Sequence, residues 1–306
     1  MIPYSALILV FTYKIIYSVS GFHASQETTG VPNKTVGSML PIFYEKSATP
    51  AMMKHSLQIV KDLTEHLNPG QIPVIAADQP LYAEIKYIQW ALPDIFGTNK
   101  MVAIMGGLHI EMSLWRCMGD ILGNSGWTTL ITEAEVASSG VTNSFLKCSH
   151  LTRTRNAHKV TFLSLYVLQL EAYARSGADL PYEEWQEHMR QCSATFFYWD
   201  LVMQLETKIF SFIRSQRSKN FALYVRTLEE LVFLYFSLNH QNYARWLSVH
   251  LHDLKTLPES IFNEFCGGNF VTSKTQNRFS AMPYDQRHEQ NNKEAKVKCK
   301  PNCYFL

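Results

Sequence analysis

No CxxC pair occurs in the 306 residues, and the six cysteines, Cys117, Cys148, Cys192, Cys266, Cys299 and Cys303, make no dense framework of the secreted kind. That pattern favours a reducing compartment, nuclear or cytoplasmic. Cys148-Ser149-His150 and His250-Leu251-His252 lack a second pair at finger-like spacing, which excludes a zinc finger. Excess charge is missing too: 28 Lys and Arg stand against 26 Asp and Glu, a formal net charge of +2. A protein that coats nucleic acid over its whole surface needs far more, so any DNA contact is local. No internal repeat is present, which excludes a solenoid or propeller. Acids are scarce at the start, where no Asp precedes Asp62 and Glu27 and Glu45 are the only earlier carboxylates.

A clean membrane or export signal is also lacking. Ile2 to Val19 is apolar, but Lys14 interrupts it and no basic stretch precedes it. The expectation is no membrane span. Secretion, with cleavage near Gly21 and use of the Asn33-Lys34-Thr35 sequon, is the minority reading. Residues 1–19 form an apolar N-terminal segment of their own, and the basic tail over 296–306, without an apolar period, is expected to be disordered.

What is present is apolar: 46% of the residues are hydrophobic, enough for a sizeable core. Ser38 to Tyr44 reads as a short strand. Thr49-Pro50 then opens a helix, with Thr as N-cap and Pro at N1, that Asn68-Pro69-Gly70 stops. Ile72 to Ala77 reads as a buried strand ending at Asp78, followed by a helix from about Pro80 to Leu92 and a second strand over Met101 to Met105. Strand, helix and strand at this spacing predict a right-handed parallel crossover. From Ile110 to about Phe265 the chain becomes a succession of long apolar-faced helices, and an extended stretch over Asn269 to Thr272 leads into a last helix carrying Asp285, His288 and Glu289. The organisation expected is an α/β core over 20–112, a helical insertion over 113–266 and a return to the core over 267–295, predominantly helical overall.

The chemistry-bearing pattern is an acid at the carboxyl end of a parallel strand, Asp78, and a second acid on a late helix, Glu289. Open α/β sheets place their sites at strand carboxyl ends. Phosphoryl transfer with Mg²⁺ needs clustered carboxylates, because the hard cation prefers oxygen ligands, and Asp78 and Glu289 are the candidates. Asp78 has a plainer reading as N-cap of the helix beginning near Pro80, and Glu289 as a solvated helix acid. Gly106-Gly107 lets backbone approach closely before a helix that begins with His109 and Glu111; His109 then orients a carboxylate or holds a phosphate, or is a hydrogen-bonded structural histidine. Arg153, Arg155, His158 and Lys159, just before a helix, are the candidate DNA-phosphate contacts, and Arg214, Arg217 and Lys219 form a second basic cluster. Each cluster also reads as a solvated basic turn.

At Ile72 to Leu81, Gly106 to Met112 and His288 to Asn292, from about Ser20 to Lys293, the chain resembles a multicopy family of animal proteins that look transposon-derived. Its layout is similar to that of hAT-like and other DDE transposases, with an RNase H-like sheet interrupted by a helical insertion. That resemblance implies that Asp78 matches the second catalytic acid, His109 the histidine after the next strand, and Glu289 the last acid. The cysteine usual beside that histidine is absent, with Gly106 in its place, and the first catalytic Asp has no counterpart upstream. The implied protein is a transposase remnant, catalytically incomplete, with residual affinity for DNA or Mg²⁺. The competing expectation is a helical protein-interaction module with no chemistry.

Overall fold

The computed structural model describes residues 34–37 and 49–298. The strand expected over Ser38 to Tyr44, Glu45, the apolar residues 1–19, Asn33 and the tail from Cys299 lie outside them. The described residues divide into two compact units, one built from residues 112–211 and the other from residues 34–37, 49–111 and 212–298.

The second of these is the α/β unit. Helix α1, Pro50–Leu67, begins as its sequence dictates: the Met52 N–H donates to Thr49 Oγ1 at 3.3 Å, and Pro50 occupies the first turn, where its missing N–H costs nothing. Gly70, at φ +82°, makes the turn that ends it. Strand β1, Val74–Ala77, is followed by α2, Gln79–Ala91, the single turn α3, Pro93–Phe96, and β2, Val102–Met105. The two strands pair in parallel, Val74 against Val102 through Ala77 against Met105. All four residues of β2 are buried. Helix α4, Gly107–Leu122, leaves directly from the end of β2.

Three further helices belong to this unit: α10, Phe221–Ser237, α11, Gln241–Lys255, and α12, Glu259–Cys266. The helical unit closes at Ser211, and α10 to α12, expected within the insertion, fall in the α/β unit, where α11 packs on β2 and α10 packs on α11 and α12. A buried polar tie joins α2 to α11, with Lys86 Nζ and Tyr82 OH both on Asp253 Oδ2, at 2.8 and 2.9 Å. An ammonium only 1% exposed needs such a partner, and no apolar periodicity advertises it. After an antiparallel bridge between Thr272 and Met282, helix α13, Tyr284–Lys298, returns to β1. Residues 296–298, expected in a disordered tail, continue that helix.

The helical unit contains α5, Trp127–Glu133, α6, Ser139–Leu146, α7, Leu151–Ser176, and α8, Tyr182–Cys192, with the later part of α4 and most of α9, Ala194–Arg217. Its centre is His158, whose ring stacks on Trp115 and Trp127 at centroid distances of 4.3 and 5.1 Å and whose Nδ1 lies 2.6 Å from Glu206 Oε1. Gly119 is required there, since a Cβ would meet the Leu146 carbonyl oxygen at 1.9 Å. Among the described residues no helix is long and apolar enough to cross a membrane.

Candidate functional site

Both strands of the α/β unit end at one place. At the end of β1, Asp78 caps α2, its Oδ1 accepting from the Leu81 N–H at 3.3 Å. The plainer reading of Asp78 therefore holds for one of its oxygens. At the end of β2, Gly106 and Gly107 turn the chain into α4, whose first amides have no acceptor of their own. The acceptor comes from the far end of the chain: Asp285, in the first turn of α13, takes the Leu108 and His109 N–H groups at 3.1 Å each. The diglycine makes room for it, because a Cβ on Gly106 would lie 2.2 Å from Asp285 Oδ2.

His109 then folds back on the same carboxylate, with Nδ1 2.9 Å from Asp285 Oδ2. That hydrogen bond raises the imidazole above its ordinary range against the opposing effect of partial burial, and the charges of Asp285, Asp78 and Glu289 add to it. The Tyr243 hydroxyl donates to the His109 carbonyl at 3.2 Å and steadies the turn. Nε2 has no partner among the described residues, so the ring's second nitrogen is free to take or give a proton.

Asp78, His109, Asp285, His288 and Glu289 line one cavity of about 1060 Å³ that also runs beside β1. Asp78 and Glu289, more than two hundred residues apart in the chain, are thus brought to one site with His109. Sequence reasoning missed Asp285 and His288 as site residues. The signal for Asp285 was the diglycine: two glycines before a helix need something close by to occupy the space they leave.

A hydrated Mg²⁺ commonly keeps several waters and is held by one or two carboxylates. Glu289 is exposed with no hydrogen-bond partner among the described residues, and Asp78 has one oxygen not used by its cap. Asp285 is committed to the α4 amides and His109. Asp78 and Glu289 are therefore the two carboxylates of the cavity lining with oxygens available at the end of β1. Consistently, no group of three or more His, Cys, Asp or Glu among the described residues is disposed to hold a metal.

The basic residues are not brought to this site's unit as one patch. Helix α7 begins at Leu151, so Arg153, Arg155 and Lys159 lie within it, where they had been expected before its start. At about 100° per residue, Arg155 and Lys159 share a face and Arg153 points to the other side. His158, counted with them, is 1% exposed and belongs to the core of the helical unit. In the α/β unit, Arg214 and Arg217 sit in the last turn of α9, and Lys219, at φ +59°, lies against Gly268 with its ammonium disfavoured by burial.

No curated protein and no solved structure matches the chain. A family model, described as a domain of unknown function, DUF8702, matches residues 18–179 and 179–300, which is most of the chain, and the chain belongs to that family.

Proposed function

We propose that the chain is a diverged DDE-type, RNase H-like transposase core that has kept an acidic site and lost strand transfer, leaving binding of one divalent cation, and through it weak contact with DNA phosphate, at Asp78 and Glu289. The observation that supports this reading is the arrival of both acids at one cavity beside His109, at the carboxyl ends of two parallel strands. When bound, Mg²⁺ would polarise a phosphoryl oxygen. His109, held by Asp285 through Nδ1, moves a proton at Nε2, and the α4 amides keep the Asp285 carboxylate fixed. With Asp285 committed to the α4 amides and His109, the reading keeps a single-ion site and does not extend to the two-ion displacement of an active nuclease.

Calorimetric titration with Mn²⁺ and Mg²⁺ tests it. The expected result is one weak site, abolished in the Asp78→Asn/Glu289→Gln double variant, with no cleavage of plasmid DNA. Equal cation binding by wild type and double variant sinks the proposal.

A second reading, a protein-interaction module, is favoured by Leu163, Tyr166 and Leu170, exposed at helical spacing along α7. It predicts self-association in sedimentation that Leu163→Glu/Leu170→Glu removes, and a monomer indifferent to that change counts against it.

A further inference from the structure

The acidic cavity does not end at its carboxylates. Nine consecutive residues, Gly70 to Asp78, line it, so it runs the length of β1. Among the described residues β1 pairs with β2 alone. The Val102 N–H donates to the Pro73 carbonyl and the Gly106 N–H to the Ala77 carbonyl. A parallel ladder sends peptide groups alternately to its two edges, so those of Val74 and Ala76 face the edge away from β2. No backbone group of the described residues meets them there. Val74, Ile75 and Ala76 are only half-buried, whereas every residue of β2 is buried. An unpaired apolar strand beside open space is a template for another strand, since buried peptide groups demand partners.

Charge selects the occupant. Asp78, Glu264, Asp285 and Glu289 line the cavity, and among its described lining residues there is no Lys or Arg. Glu264 is bonded to Asn269, and Asp285 to α4. The carboxylate oxygens left open are those of Glu289 and the second of Asp78, two acids at the carboxyl end of β1, together with the second of Glu264. We infer that the free edge of β1 takes an extended cationic peptide as a third strand, its apolar side chains on one face beside Val74 and Ala76 and a Lys or Arg reaching Asp78 and Glu289. Main-chain hydrogen bonds to Val74 and Ala76 supply binding, and the acid pair supplies the preference for a basic residue.

This goes beyond the cation-binding reading while sharing its acid pair, so the test is run in chelator, where a metal contributes nothing. The probe is a fluorescein-labelled peptide of alternating Val and Thr ending in two arginines, read by anisotropy against the full chain. Its partners are the same peptide ending in two glutamates and an arginine version N-methylated on alternate amides. The arginine peptide is expected to bind up to about fivefold more tightly than the glutamate one, the ratio expected of an exposed charge pair. That preference should disappear in Asp78→Asn/Glu289→Gln, and N-methylation should abolish binding. Equal binding of the two charge forms, equal binding of the methylated form, or slow hydrogen exchange at Val74 and Ala76 in the free protein, which would mean the edge is already covered, each overturns the inference. Retained peptide binding with no cation binding would sink the earlier proposal and leave this one standing.

Discussion

Gly106 shows how one missing side chain organises a site. The space its Cβ would fill holds the Asp285 carboxylate, which in turn terminates α4 and fixes His109. Gly106→Ala must push that carboxylate away, leaving two helix amides and the ring without their acceptor. The expected loss is about 1–3 kcal/mol of stability, the cost of overpacking and of orphaned donors, read from the urea midpoint. The His109 titration followed by NMR supplies a second readout. In the wild type the folded value lies above the ordinary one, chiefly through the Asp285 hydrogen bond, so His109 contributes stability that is fully present below pH 6.5 and is lost as pH rises through the folded value. Gly106→Ala should move the titration downward. An unchanged midpoint and an unchanged titration together would show that Asp285 does not organise the turn. At this scale the sequence showed the pieces without the join: the diglycine announced a close approach, but nothing local says that the residue approaching is Asp285, at the other end of the chain.

Individual elements were legible wherever a local rule governs them. Thr49-Pro50 started α1 at the expected residue, and the alternation of apolar runs located β1, β2 and the crossover, because caps and turns act over a few residues. Helix α7 was misplaced at its start because its first turns, Leu151 to Lys159, are polar on the sequence, and their burial comes from packing of the helical unit. Its buried member His158 carries an element-scale consequence. Burial in the Trp sandwich lowers the imidazole to about 3, and burial raises the Glu206 carboxyl well above its ordinary range. Both shifts favour the uncharged forms, so the folded pair holds one proton, lying between Glu206 Oε1 and His158 Nδ1, while Glu206 Oε2 has no hydrogen-bond partner among the described residues. The unfolded pair holds two protons below pH 4.5, one between 4.5 and 6.5, and none above. Stability of the helical unit should be flat between those values and fall on either side by up to about 1.4 kcal/mol per pH unit. Glu206→Gln keeps a donor to Nδ1 but titrates nothing. It should be flat above pH 6.5 and begin falling at once below it. A wild type that gains stability as pH rises past 6.5 would rule out the neutral pair.

For the whole molecule, the division at residues 112 and 211 was the least legible feature, since α4 and α9 each pass from one unit into the other without a break in their helical pattern. Sequence periodicity reports that a helix continues, not which core its next turn joins. The cores are nonetheless chemically distinct: the helical unit centres on Trp115, Trp127 and His158, and the α/β unit on β2 and the Lys86–Asp253 tie. Separate cores unfold as separate cooperative events when few contacts join them. Asp253→Ala strands a buried ammonium and should cost about 3–5 kcal/mol. Trp127→Ala empties the other core at a similar cost of about 3–5 kcal/mol. In scanning calorimetry each variant should lower a different transition, Trp127→Ala that of the unit whose stability is flat between pH 4.5 and 6.5, and Asp253→Ala the other. If both lower one shared transition equally, the two units unfold as a single cooperative structure and the assignment of one transition to each core is wrong.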